Sequence, residues 1–169
     1  MPKYRGPSPI KTAILNGDKD MDVCLMQMTN ELDAGDVYMR ENIEIGENDT
    51  NETMENHVSQ TAIKMLDKYL KNPSAFSPVP QGDGATYTRK FNGDDEIIDW
   101  KNTSKQIHNQ IRALSCGRTK INGVDVKILE TRVENDELKI VKIQPAGKKS
   151  MDWKSFVNGL RGNKIEYGE

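Results

Sequence analysis

Residues 23–36 read VCLMQMTNELDAGD, and this stretch decides the fold of the first half of the chain. Its first six residues are mostly apolar and have polar turns on either side, a pattern that predicts a strand covered on both faces. A second strand is predicted over residues 37–45. The connection between them is polar and ends at Gly35, so the sequence predicts a tight loop that carries Asp33.

Helical patterns lie on either side of these strands. Residues 9–16 can form a short helix that Gly17 is placed to end. Residues 50–71 repeat apolar side chains every three or four positions, which predicts an amphipathic helix. Asp49 and Glu52 supply a start similar to a capping box, and Pro73 prevents the helix from continuing.

Proline, serine and glycine accumulate over residues 73–84, where a domain boundary is predicted. Beyond it we expect a helix at 103–114 and alternating strand residues at 124–128. Residues 138–143 can pair back across a turn at 134–137 as a hairpin, and a closing helix is expected at 151–160. A helix with short antiparallel strands fits a small barrel of the OB type.

Composition narrows the class of protein. Charged residues make up 30% of the chain and apolar residues 35%, which is typical of a soluble protein with a polar surface. No apolar run reaches the length of about 18 residues that a spanning helix needs, so we expect no membrane partner and a cytoplasmic location. Cys24 and Cys116 lack metal-ligand spacing, which argues against a zinc or redox site.

Charge is distributed unevenly along the chain. Residues 1–80 contain 8 Lys/Arg and 13 Asp/Glu, whereas residues 101–169 contain 14 Lys/Arg and 8 Asp/Glu. The second half is therefore basic, which indicates a polyanionic partner or, equally well on charge alone, a solvated basic surface.

The order of several short motifs resembles the methionyl-tRNA formyltransferase family. The segments PKYRGPSPI (2–10), AILNGD (13–18), MQM (26–28) and LDAGD (32–36) follow one another as in its catalytic domain. HNQIRAL (108–114), QPAGKKSM (144–151) and FVNG (156–159) are similar to the C-terminal domain of the methionyl-tRNA branch. The resemblance implies an α/β fold: the C-terminal half of a Rossmann-like formyltransferase domain (1–72), a linker (73–98) and a small OB-like β-barrel domain (99–169).

The resemblance also implies a catalytic site around Asp33, whose carboxylate would orient an imidazole or a water. Taken alone, Leu-Asp-x-Gly favours an aspartate that merely caps its own turn over a catalytic one. The co-substrate implied is 10-formyltetrahydrofolate, with no metal. The implied folate-contacting residues are Met1, Pro2, Thr29, Asn30, Glu31 and Leu32.

The family's catalytic Asn and His precede the position of Met1, so we expect an N-terminally truncated chain that is inactive by itself. His57 and His108 lie on predicted helices downstream of the loop and are not expected to replace the missing His. We expect the full-length protein to be a monomer.

Initiator methionyl-tRNA is the partner that the resemblance implies for the basic second half. The candidate tRNA-binding residues are Arg118, Lys120, Lys127, Lys142, Lys148, Lys149, Lys154 and Arg161. Two alternatives stay open: a non-catalytic RNA-binding module, and a folate-dependent formyltransferase acting on a sugar amine.

Overall fold

A computed structural model describes residues 3–160 and 164–168. The chain divides into two compact units, Met1–Lys90 and Phe91–Glu169. The first contains α1 (Pro9–Asn16), β1 (Asp20–Met26), β2 (Val37–Glu44), α2 (Asn51–Lys71) and a 3-10 turn at Pro73–Ala75. β1 and β2 pair in antiparallel fashion, with Val23 opposite Glu41 and a bulge between Leu25 and Met26.

The ends of the two helices follow from local chemistry. α1 begins at Pro9, whose fixed φ suits the first helical position, and Gly17 ends it in a left-handed conformation with φ 71°. α2 begins with a reciprocal capping box between Thr50 and Thr53. The start predicted at Asp49 and Glu52 is therefore wrong, because the Asp49 carboxylate accepts instead from the backbone N–H of Gly46 at 2.8 Å.

The core of the first unit lies between its helices and its two strands. Val23 is the one buried residue of β1, so the prediction that this strand is covered on both faces is wrong for the residues that the structure describes. The buried apolar residues of this unit are Ala13, Ile14, Val23, Val37, Ile45, Met54 and Met65.

Residues 73–90 are hydrogen-bonded to the rest of the first unit. Val37 and Val79 exchange backbone hydrogen bonds of 2.8 and 3.0 Å. Arg5 donates to the carbonyl of Thr86 at 2.8 Å, and Thr88 donates to the carbonyl of Arg5 at 2.7 Å. Most of the predicted linker thus lies within this unit, and the three-part division 1–72, 73–98 and 99–169 stays a prediction.

The second unit is built on a five-stranded antiparallel sheet. Its elements are α3 (Ser104–Leu114), β3 (Gly117–Ile121), β4 (Val124–Glu134), β5 (Glu137–Pro145), β6 (Met151–Asp152), α4 (Trp153–Gly159) and β7 (Tyr167–Gly168). The strand order is β6-β5-β4-β3-β7, and no pairing joins β6 to β7 among the described strands, so the sheet is open.

One face of that sheet is covered by α3. Ile107 and Ile111 of the helix are buried against it. Gly117 allows this approach, since a Cβ there would lie 2.6 Å from Cδ1 of Ile98 and 2.9 Å from Cγ1 of Ile111. The predicted α/β fold with a small β domain is confirmed. Among the described helices, none combines the length and apolarity needed to cross a membrane.

Candidate functional site

The loop between β1 and β2 is held by a close backbone approach. The N–H of Gln27 donates to the carbonyl of Asp36 at 2.8 Å, which closes the base of the loop. Gly35 packs directly on this strand end, because a Cβ at position 35 would lie 1.8 Å from the carbonyl oxygen of Gln27. Only glycine fits there, so the glycine at the end of the predicted loop is required by sterics.

Asp33 is half-buried at the centre of this loop and has a left-handed backbone, with φ 50°. Its Oδ2 accepts a hydrogen bond of 2.7 Å from the backbone N–H of Gly6. Within residues 3–160 and 164–168 this is the one hydrogen bond that the carboxylate accepts. The side chain therefore joins the loop to the N-terminal segment rather than capping its own turn, and Oδ1 is left available to a further partner.

Gln81 fixes the same loop from the other side. Its Nε2 donates to the carbonyls of Asp33 and Gly35 at 2.9 and 2.7 Å. Its Oε1 accepts from Nη2 of Arg5 at 2.8 Å. Sequence reasoning missed this residue, and the signal that could have found it is a single amide side chain within the Pro- and Gly-rich stretch PVPQGDG (78–84).

The N-terminal segment that contacts Asp33 has an unusual backbone. Tyr4 has φ 65° and Gly6 has φ 111°, a value that side-chain-bearing residues rarely adopt. Two threonine hydroxyls hold this turn: Thr86 Oγ1 accepts from the N–H of Tyr4 at 2.8 Å, and Thr88 Oγ1 accepts from the N–H of Ser8 at 3.1 Å. This turn places the N–H of Gly6 where it can donate to the Asp33 carboxylate.

The residues predicted to contact folate are less organised than Asp33. Thr29, Asn30, Glu31 and Leu32 are all exposed, and Leu32 retains 61% of its accessible surface. Thr29 Oγ1 donates to the carbonyl of Glu31 at 3.1 Å. Met1 and Pro2 lie outside the described residues. The folate-binding set and the catalytic role of Asp33 both stay predictions.

A cavity of about 480 Å³ lies between α1, β1 and α2. Tyr4, Ile10, Met21, Val23 and Val58 are among the residues that line it, and Asp33 is not. At its rim, Lys3 Nζ donates to Oδ2 of Asp18 at 2.7 Å. This hydrogen bond raises the pKa of Lys3 above its usual value.

Neither histidine belongs to the Asp33 loop. His57 is exposed on α2. His108 is buried in the second unit, where its Nδ1 lies 2.9 Å from Oγ1 of Thr131. Among the residues that the structure describes, no group of three His, Cys, Asp or Glu side chains could hold a metal ion.

The predicted tRNA-binding residues that the structure describes lie on the surface of the second unit. Arg118 and Lys120 alternate with buried residues along β3, and Lys127 does so on β4. The remaining exposed members of the set are Lys142, Lys148, Lys149 and Lys154. Arg161 falls outside the residues that the structure describes. The structure thus brings Arg118, Lys120 and Lys127 together on adjacent strands.

A shallow groove of about 260 Å³ runs along these strands, lined by Ile97, Arg118, Thr119, Lys120, Asp125, Val126 and Lys127. Cys116, which is buried in this region, has a thiol pKa raised chiefly by burial and further by the Glu96 carboxylate. Lys127 and Arg118 act in the opposite direction on that pKa, so both cations lie close enough to influence Cys116.

Comparison with known proteins defines the class. The family described as "Formyl transferase" matches residues 1–70, and "Formyl transferase, C-terminal domain" matches residues 90–139. The chain belongs to the formyl transferase family.

The curated relatives of this chain include methionyl-tRNA formyltransferases. The methionyl-tRNA formyltransferases of Lactococcus lactis subsp. lactis and Bacillus pumilus are 31% and 32% identical to it, over 100% of this chain and 62% of each relative. The chain thus spans 62% of the length of these two relatives.

Solved structures show the same fold. An N-formyltransferase from Helicobacter canadensis, in complex with folinic acid and dTDP-3-aminofucose, superposes with TM-score 0.69 and 26% identity, over 80% of this chain and 52% of that one. The methionyl-tRNA formyltransferase from Clostridium thermocellum superposes with TM-score 0.72 over 86% of this chain and 64% of that one. At 17% identity the latter likeness concerns the fold alone.

Proposed function

We propose that this chain acts in the transfer of a formyl group from 10-formyltetrahydrofolate to the amino group of initiator methionyl-tRNA, in the cytoplasm. The observation that carries the proposal is the Asp33 carboxylate, held by the Gly6 N–H at 2.7 Å in a loop that Gln81 locks. Curated relatives named methionyl-tRNA formyltransferase support the choice of reaction.

The chemistry needs a positioned acid. The methionyl amine attacks the formyl carbon to give a tetrahedral adduct, the bond from that carbon to N10 of the folate then breaks, and a proton passes from the amine to N10. Asp33 positions the imidazole or water that carries this proton. It does so through Oδ1, because Oδ2 already accepts the Gly6 N–H. Because Gln81 and Gly35 fix the loop, the carboxylate is oriented before the substrates bind.

Folate recognition is proposed for residues on the same loop. Thr29, Asn30, Glu31 and Leu32 are exposed, so their backbone groups are accessible to a pterin ring. The folinic acid in the Helicobacter canadensis structure supports a folate ligand for this branch of the fold. Met1 and Pro2 would complete the folate contact from the N-terminal segment.

Recognition of tRNA is proposed for the second unit. Its exposed lysines and Arg118 suit contacts to phosphates, which position a nucleic acid without reading its sequence. The resemblance assigns the family's catalytic Asn and His to no position among these 169 residues, so we propose that these residues by themselves bind tRNA without turnover. Formyl transfer by these 169 residues alone would contradict this part of the proposal.

The role of Asp33 is tested by joining residues 1–169 to the N-terminal segment of the Bacillus pumilus relative, where the family's catalytic Asn and His are implied to lie. The fused protein should formylate methionyl-tRNA, and Asp33→Asn should lower its kcat by about 100-fold. Asp36→Asn, a change of the same kind three residues away, serves as the control and should retain activity. Two results would overturn the proposal. One is a folded fusion protein that shows no turnover, and the other is an Asp33→Asn variant whose kcat equals that of the unmodified fusion protein.

A sugar amine is the second candidate acceptor, favoured by the 26% identity with the Helicobacter canadensis enzyme that was crystallised with dTDP-3-aminofucose. The two acceptors are distinguished by incubating the fused protein and labelled formyl donor with methionyl-tRNA or with dTDP-3-aminofucose. We expect label in the tRNA. Label in the sugar nucleotide would replace the first candidate with the second.

A further inference from the structure

Arg118 and Lys127 stand directly opposite each other on the outer face of β3 and β4. Their Cα atoms are partners in the antiparallel register, and both side chains are exposed. Directly opposed residues have Cβ atoms about 5 Å apart, so the two cations share one small region of surface. Gln144, the partner of Lys127 on β5, extends this row with a neutral side chain.

This pairing differs from that of the neighbouring lysines. Lys120 stands opposite Asp125, and Lys142 stands opposite both Glu130 and Asp152. Like charges placed directly opposite destabilise a sheet, whereas opposite charges stabilise it. Within residues 3–160 and 164–168 neither Arg118 nor Lys127 forms an ion pair, although the Glu96 carboxylate, like these two cations, lies close enough to influence Cys116.

The surrounding groove has dimensions that suit a small anion. At about 260 Å³ it falls below the range of about 300–1,000 Å³ that is usual for drug-sized ligands. The backbone at Gly93 lies beside the guanidinium, since a Cβ there would be 3.4 Å from Nη1 of Arg118, an ordinary contact distance. The Asp125 carboxylate lies at one end of the groove and repels anions there. Anions are therefore attracted to the other end, which Arg118 and Lys127 line.

We propose that Arg118 and Lys127 form a two-point site for a backbone phosphate of RNA, with the guanidinium and the ammonium bound to the same phosphate group. The inference rests on the proposed tRNA-binding function and deepens it by selecting two residues from the basic set. An anion between the two cations removes the repulsion that the register imposes. A planar guanidinium also matches a phosphate through two parallel hydrogen bonds.

The test measures the salt dependence of tRNA binding for the 169-residue chain and for Arg118→Gln and Lys127→Gln. Each variant should weaken binding at low salt, and the Arg118→Gln/Lys127→Gln double variant should reduce the slope of log affinity against log salt by about 1, because the two cations share one phosphate contact. Lys139→Gln is the matched control, because Lys139 is an exposed lysine of the same sheet that is ion-paired with Glu137. It should leave the slope unchanged.

Thermal stability supplies an independent measurement. Because either substitution relieves a like-charge pair, both variants should melt at or above the temperature of the unmodified chain while binding RNA less well. A lower melting temperature together with weaker binding would indicate a structural role and overturn the proposal.

The outcomes separate this inference from the function on which it rests. If the unmodified chain binds tRNA and the double variant binds with an unchanged salt slope, the two-point site is wrong and the tRNA proposal stands. If the unmodified chain does not bind tRNA even at low salt, both are overturned. Displacement of tRNA by oligo-aspartate as readily as by RNA would assign the site to an acidic protein partner and overturn the RNA assignment.

Discussion

Gly35 and Gln27 approach so closely that no side chain fits between them: a Cβ at position 35 would lie 1.8 Å from the carbonyl oxygen of Gln27. This contact brings the two ends of the Asp33 loop together. The position of the carboxylate therefore depends on a residue that has no functional group of its own.

Gly35→Ala should destabilise the first unit by about 3 kcal/mol, because the added methyl group forces the strand end and the loop apart. Urea unfolding followed by circular dichroism measures the change. Gly82→Ala is the control, since a Cβ at position 82 meets nothing within 4 Å, and it should leave the free energy of unfolding nearly unchanged. Equal stability of the two variants would contradict the steric argument.

Gln81→Ala should loosen the loop without unfolding the unit. The substitution leaves the carbonyls of Asp33 and Gly35 without their donor, with a destabilisation of about 1–3 kcal/mol. Hydrogen exchange should be faster at the amide of Gln27, which bonds across the base of the loop. Gln60→Ala, at an exposed position on α2, should not change that rate, and an unchanged rate in Gln81→Ala would refute the proposed lock.

Two substitutions at Asp33 separate its hydrogen bond from its charge. Asp33→Ala removes the acceptor for the Gly6 N–H and should destabilise the unit by about 1 kcal/mol or more. Asp33→Asn keeps an acceptor oxygen and should remain close to the unmodified chain in thermal melting. The Gly6 amide proton reports the difference by NMR, and it should exchange faster only in Asp33→Ala. Faster exchange in both variants would show that the charge, not the acceptor, fixes the turn.

Acid should release the start of α4. Oδ1 of Asp152 accepts from the backbone N–H of Ser155 at 2.8 Å and its Oδ2 from the hydroxyl of Ser155 at 2.7 Å; these bonds, the backbone one first, lower the pKa of Asp152 below its ordinary value of 3.8. A lowered pKa means that the stabilisation is complete above the ordinary value and is lost as the pH falls through the folded-state pKa.

The amide chemical shift of Ser155 followed from pH 6 down to about pH 2 measures this loss. The transition should have its midpoint below the ordinary aspartate value. Asp152→Asn, which caps without titrating, should show no transition over that range. A midpoint at or above the ordinary value would be incompatible with the cap.

Local patterns predicted most of the helices. α1 begins and ends where Pro9 and Gly17 allow it, because both residues act through their own backbone torsions. α3 begins one residue after its predicted start, since Thr103 caps it through the N–H of Gln106. The cap of α2 was misplaced by one residue because Asp49 and Thr50 are both good caps, and the choice depended on the Gly46 turn.

Strand β3 of the second unit has no hydrophobic pattern from which it could be predicted. Its residues GRTKI include a single large apolar side chain, so nothing in the composition marks a buried strand. Residue 117 has to be a glycine because the side chains of Ile98 and Ile111 occupy the place of a Cβ. Ile98 lies 19 residues earlier in the chain. Distant packing of this kind leaves no periodic signal in the sequence.

The candidate site was predicted only in part for the same reason. Asp33 stood out as an acid on a Gly-ended loop, but its partner Gly6 lies 27 residues earlier. Gln81 lies 46 and 48 residues after the carbonyls that it binds. Such links depend on the packing of the whole unit, so the sequence predicted the position of Asp33 and not the bonds that orient it.

The hydrogen bonds from residues 79–88 back to β2 and to the N-terminal turn determine where the gene can be divided. A polypeptide ended after Asn72 would lack Gln81, Thr86 and Thr88, and its Asp33 loop would be solvated on one side. Limited proteolysis should accordingly spare this stretch. Cloning of the first unit as a separate product should extend to the codon for Lys90.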